Sequence, residues 1–248
     1  LTAFESNIES EETRMDLTSA KALVTGGTSG IGLEIARQLR NRGAAVAICG
    51  RDETRLTRAA KEIGATAIHA DVADEKQVVA MVERVIAALG GFDILVNNAG
   101  FGVFSPLVEQ SLANMERLFA TNVFGAMIVA REAARYFVGQ QRGNIINISS
   151  TAGQKGFAGG TAYVASKFAL DGMTECWRAE LRKHNVRVSV IHPSEVQTEF
   201  FSVAAGQHRP VSDRKLQPVE IAHAAIALLE MNDRGFVPEL AVWATNPD

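Results

Sequence analysis

From Lys21 onward, short apolar runs alternate with longer amphipathic stretches. KALVTGG is followed by a helical pattern over about 31–42, then by AAVAICG and a second helical stretch, which reads as βαβαβ. Further strands are predicted at 66–70 (TAIHA), 93–98 (DILVNN), 144–149 (NIINIS) and 186–192 (VRVSVIH). These runs are almost continuously apolar, the pattern of a sheet buried on both faces, and the segments between them are long enough for right-handed crossovers to parallel neighbours. The predicted fold is a single doubly wound, Rossmann-like α/β domain, with a mostly parallel sheet of about seven strands and helices on both faces. Two long helical stretches, 111–137 and 163–183, carry apolar residues on more than one side, among them Phe119, Phe124, Ile128, Phe168, Met173 and Trp177. Such helices can pack on the sheet and on a second copy of the chain, so a homodimer or homotetramer is expected.

Composition narrows the classes of partner. The chain has 248 residues, a hydrophobic fraction of 47% and a charged fraction of 21%, with no Pro/Ser-rich linker or internal repeat, and one domain over 15–248 fits best. Residues 1–14 carry four carboxylates and little apolar periodicity; with Met15 as a natural start they read as a leader or expression remnant and are left out of the fold reading. A net charge of -3 without a basic run argues against nucleic acid, and no apolar run reaches bilayer-spanning length. Cys49 and Cys176 are too few for a disulfide framework, which suggests a reducing, cytoplasmic setting. The five histidines lack paired metal-ligand spacing, so no metal is expected.

Candidate chemistry begins at the first strand-to-helix junction, TGGTSGIG over 25–32. Gly26 permits a tight turn, Gly30 removes a side chain where backbone must approach a pyrophosphate, and Gly32 allows close helix–strand packing. Thr28, Ser29 and Ile31 complete a turn whose amides face phosphates. The second strand ends in CGRDE: where an NAD site often places a carboxylate against the ribose 2′-hydroxyl, this chain has Gly50 and Arg51. Arg51 can neutralise a 2′-phosphate, so NADP(H) is the expected cofactor. Asp52 either weighs against NADP or caps the next helix. Asp71 with Val72 and NNAG (Asn98, Ala99, Gly100) lie at the ends of the third and fourth strands, the ligand-bearing edge of an open sheet; Asp71 contacts adenine or caps the helix beginning near Asp74.

The run SSTAGQKGFAGGTAYVASK holds a candidate reaction centre. A phenol ionises near pH 10, so Tyr163 needs a cation beside it to exchange protons near neutrality. Lys167, four residues on, shares its helix face. The required lowering is two to three pKa units, on the order of 3–4 kcal/mol, which the ammonium together with the cationic nicotinamide of NADP+ could supply in a partly desolvated site. Ser150 would hold the substrate oxygen.

TGGTSGIG, NNAG, the set Ser150, Tyr163 and Lys167, and the segment 193–198 occur in an order that closely resembles the short-chain dehydrogenase/reductase family over residues 20–242. The resemblance implies hydride transfer between a nicotinamide and a carbonyl or alcohol, with Tyr163 giving the proton, Ser150 orienting the oxygen, and Lys167 lowering the tyrosine pKa while binding the nicotinamide ribose. Asn122 matches a fourth catalytic position that supports a water relay to the lysine; read on its own it is a polar residue satisfying a helix irregularity. Pro193, Val196 and Thr198 are implied contacts of the nicotinamide carboxamide. The chain departs from the family's Pro-Gly with Ser194, followed by Glu195, which is either a substrate determinant or an exposed loop carboxylate. Phe101, Phe104, Phe157, Phe200 and Phe201 form either an apolar substrate wall or part of the core, and 199–217 is expected to be a mobile cover. An NADPH-dependent carbonyl reductase is the leading reading, with a small-molecule or acyl-linked carbonyl substrate such as a 3-oxoacyl thioester. A non-catalytic NADP-binding regulator or scaffold is the alternative, and the complete set Asn122, Ser150, Tyr163 and Lys167 counts against it.

Overall fold

A computed structural model describes residues 15–200 and 212–246 of the chain. Its seven strands are β1 (Lys21–Thr25), β2 (Ala45–Gly50), β3 (Thr66–His69), β4 (Ile94–Asn97), β5 (Gly143–Ile148), β6 (Val186–Pro193) and β7 (Glu239–Val242). They form one sheet in the order β3-β2-β1-β4-β5-β6-β7, and every pairing is parallel. The strand order reverses between β1 and β4, so the crevice that an open α/β sheet offers to ligands lies above that pair.

The helices are α1 (Gly30–Asn41), α2 (Glu53–Ile63), α3 (Glu75–Leu89), α4 (Leu112–Phe119), α5 (Ala126–Gln140), α6 (Thr161–Leu181) and α7 (Pro218–Leu229). Ile35 and Leu39 of α1, Leu56 of α2 and Ile221 and Ile226 of α7 bury one face of the sheet. Met81 of α3, Val129 and Phe137 of α5, and partly buried Trp177 of α6 cover the other. Helix ends follow local chemistry: Asp52 and Asp74 accept backbone amides at the starts of α2 and α3, while Gly64 and Gly90 take left-handed conformations at their ends.

The stretch expected as one helix over 111–137 is divided. α4 passes into a π-helical segment, Ala120–Gly125, before α5 begins. The apolar residues of 111–137 lie on more than one side, so the change of phase that an inserted residue brings is not visible in the pattern. Phe137 is fully enclosed, with its ring 4.9 Å from that of Phe92, and a Cβ on Gly143 would overlap it. Phe137→Ala is expected to lower unfolding free energy by about 3–5 kcal/mol in a denaturant titration.

Candidate active site

At the carboxyl edge of the strands lies a cleft of about 380 Å³. Gly26, Thr28, Ser29, Gly30, Ile31, Asn98, Ala99 and Gly100 line it, as do Arg51 after β2, Asp71 and Val72 after β3, Pro193 at the end of β6, and Val196 and Thr198 beyond it. Ser150, Tyr163 and Lys167 open into the same space. Of the expected catalytic and cofactor-binding residues, Gly32 and Asn122 are absent from the lining.

The phosphate turn is shaped by absent side chains. Gly26 and Gly30 have φ of +63° and +53°, and a Cβ on Gly26 would come within 2.9 Å of the Ala99 Cα. Gly32 serves packing, since a Cβ there would overlap the Asn98 amide and the Gly26 carbonyl. That amide fastens the turn by donating to the carbonyl oxygens of Thr25 (3.0 Å) and Gly26 (3.1 Å), while the Thr25 hydroxyl accepts from the Asn98 and Ala99 amides. Thr25 escaped the sequence reading because its role lies in a contact 73 residues away.

At the other end of the cleft, Arg51 is exposed and makes no side-chain ion pair among the described residues. Asp52 accepts the Arg55 amide at 2.9 Å, so it is the cap of α2. Arg55, not selected from sequence, lines the same end and pairs with Glu199 at 2.5 Å across its mouth. Asp71 does not cap α3, a task Asp74 performs; one of its carboxylate oxygens accepts from Ala73 at 3.0 Å. A glycine-walled turn, the amino end of α1 and two guanidinium groups thus fit an anionic dinucleotide.

The reactive end is closely packed, with Tyr163 and Lys167 both buried. Ser150 begins the short turn Thr151–Gly153 after β5, and its hydroxyl accepts the Ala152 amide at 3.1 Å. Tyr163 and Lys167 stand one turn apart in α6; the Lys167 Nζ donates to the Ile148 carbonyl at 2.9 Å and lies 5.7 Å from the Tyr163 ring centre. Burial pushes the Tyr163 phenol up to about 12, opposed by a hydrogen bond from Ser150. Burial also pushes Lys167 down to about 8, opposed by the charge of Asp171. Burial thus acts on the phenol against the lowering expected of Lys167 together with a cationic nicotinamide.

Asn122 is buried in the π segment. Its Oδ1 accepts the Phe101 amide at 3.1 Å, and its Nδ2 donates to the Phe101 carbonyl at 2.9 Å and to the Ser166 hydroxyl at 3.2 Å. The side chain is fully engaged in holding the loop after β4 against α6. Its neighbour Thr121 lines the cleft instead.

Aromatic rings surround the phenol. Phe104 meets Tyr163 edge-on at 5.6 Å, Phe200 lies 5.5 Å from it, and Phe157 is 6.0 Å from Phe104. Phe101 and Phe200 reach the cleft lining, whereas Phe201 lies outside the described residues, as does the cover expected over 199–217 across 201–211. The stems of that span are joined: Val196 bridges Leu216, and Lys215 pairs with Glu195 at 2.8 Å. Glu195 is thus engaged outside the cleft, while Ser194 lines it and donates its amide to the Val242 carbonyl. Among the described residues no helix is long and apolar enough to cross a membrane, and no group of His, Cys, Asp and Glu could hold a metal ion.

Comparison with known proteins adds an independent observation. A family model described as short chain dehydrogenase matches residues 20–208. An uncharacterized oxidoreductase of Staphylococcus saprophyticus is 35% identical over 92% of this chain and 98% of its own length. A solved structure described as a putative betaketoacyl-ACP reductase is 37% identical, with a TM-score of 0.77 over 90% of this chain and 95% of its own. The closed form of a serine dehydrogenase complexed with NADP+ is 29% identical, with a TM-score of 0.83 over 89% of this chain and 93% of its own.

Proposed function

The chain belongs to the short-chain dehydrogenase/reductase family of oxidoreductases, and from that premise we propose that it is an NADPH-dependent carbonyl reductase acting on an apolar ketone or a 3-oxoacyl thioester. The observation that carries the reading is the enclosed phenol of Tyr163, hydrogen-bonded by Ser150 and with the Lys167 ammonium beside its ring. A phenol pushed up to about 12 is protonated at neutral pH, the form that can give a proton to an oxygen gaining negative charge. When bound, NADPH would supply the hydride. Ser150 would donate to the substrate oxygen, and Tyr163 would deliver the proton to it. Lys167 anchors one N–H on the Ile148 carbonyl, which leaves two donors for the phenol side and the nicotinamide ribose.

NADP rather than NAD is favoured by Gly50 and Arg51, and Arg55 adds a second cation at the same end. An apolar substrate is favoured by Phe101 and Phe200, which line the cleft. The related structure described as a putative betaketoacyl-ACP reductase adds the thioester to the candidates. Phe124 and Phe168 are exposed on the outer sides of the π segment and α6, so a second copy of the chain is the proposed cover, giving a homodimer or homotetramer in the cytoplasm.

The reading is tested by following NADPH consumption with aryl and alkyl ketones, carrier-linked 3-oxoacyl chains and hydroxyl-rich ketones. Turnover is expected with the first two groups and to be at least about tenfold slower with the third, for which the aromatic walls offer no hydrogen-bond partner. NADPH binding without consumption across all three would contradict it and favour a regulatory or scaffolding role.

A further inference from the structure

Behind the reactive side chains lies a buried polar cluster that the chemistry above does not use. Asp171 stands one helical turn beyond Lys167 on α6, and its Oδ2 lies 3.0 Å from the Nε2 of His192, near the end of β6. His192 is 2% exposed, and its Nδ1 lies 3.4 Å from the Gln154 amide. The Asp171 Oδ1 is buried without a hydrogen-bond partner among the described residues, and so is the Ser149 Oγ. A Cβ on Gly153 would overlap the Asp171 carboxylate and approach the Ser149 Oγ within 2.9 Å. One carboxylate therefore packs against the turn that carries Ser150, on the helix that carries Tyr163 and Lys167, and beside the strand that ends at Pro193.

Asp171 is partly buried, its side chain 17% exposed, but its Oδ1 is shut off from solvent and unsatisfied, which is costly unless a positive charge lies near. Lys167, four residues earlier, occupies the same face of α6. We propose that Asp171, held in place by His192, is a positioning residue that keeps Lys167 in its ammonium form and so sets the alkaline limit of the site's working range. The proposal rests on the reading of Lys167 as the cation beside Tyr163.

The groups facing this pair define what else can act on it. Tyr163 lies on α6 itself and His192 on β6, while β5 and the turn after it present the Ile148 carbonyl, Ser149, Ser150 and Gln154. Asp71, Arg51, Arg55 and Glu199 line the same cleft. Of all these charges, only that of Asp171 opposes the burial that pushes Lys167 down to about 8.

Asp171→Asn preserves size and one acceptor for His192 while deleting the charge. In carbonyl reduction with saturating NADPH, the alkaline limb of kcat is expected to move about one pH unit lower. The ratio of variant to wild-type kcat should then fall about tenfold between about pH 6 and about pH 9. Asp171→Glu, which restores the charge, should hold the limb near its original place. An unmoved limb in a folded, active Asp171→Asn enzyme would overturn the proposal, as would a loss of equal size at every pH, the mark of a packing defect. If the asparagine variant does not fold, Asp171→Ala gives the same readout. Wild-type protein that reduces no carbonyl would instead strike the reading of the site itself, so the two failures are distinguishable.

Discussion

Tyr163→Phe is expected to lose about 10³-fold or more of kcat while NADPH affinity stays within about threefold of wild type. The phenyl ring keeps the volume, the edge-on packing with Phe104 and the tilted contact with Phe200, so fold and cleft shape have no reason to change. What disappears is the hydroxyl that Ser150 hydrogen-bonds, and with it the proton meant for the substrate oxygen. Loss of an interaction made in the transition state alone lowers kcat without weakening cofactor binding. Stopped-flow turnover beside fluorescence titration of NADPH separates the two quantities. Undiminished turnover would remove Tyr163 from the chemistry.

The double change Gly50→Asp with Arg51→Ile is expected to move the ratio of kcat/KM values for NADPH and NADH about 100-fold towards NADH. Arg51 is the exposed guanidinium at the end of β2, and its removal deletes a charge-assisted contact to a 2′-phosphate. A carboxylate at 50 adds repulsion for that phosphate and a partner for a free 2′-hydroxyl. The new side chain must displace the Thr28 methyl, 2.6 Å from the position its Cβ would take, which a rotation of a surface-facing threonine can accommodate. Because Arg55 remains, some NADPH activity should persist. An unchanged ratio would show that the phosphate is held elsewhere.

The central strands were legible in the sequence because burial on both faces turns them into unbroken apolar runs. β7 was counted but not located, since at the sheet edge ELAV alternates between exposed and half-buried positions and is only four residues long. The glycine turn was legible because its chemistry depends on residues that are missing a side chain, and those are visible in a string of letters. Gly32 was assigned its packing role, whereas Thr25, Arg55 and the Asp171–His192 pair were missed, for each acts through contacts distant in the chain. The tyrosine's electrostatics were read by counting neighbouring charge. Burial of the phenol acts in the opposite direction, and its extent is set by packing that a string of residues does not display. Asn122 shows the same limit: its order in the chain was clear, but not the engagement of its amide with Phe101 and Ser166.

Direct hydride transfer within this cleft is most sharply tested with NADPH carrying deuterium at the transferable position of the nicotinamide ring, using a ketone that the protein reduces. Mass spectrometry of the alcohol should find one deuterium on the carbinol carbon, with the hydroxyl hydrogen drawn from solvent through Tyr163. Alcohol formed without that deuterium, with the label left on the dinucleotide or lost to water, would contradict the account.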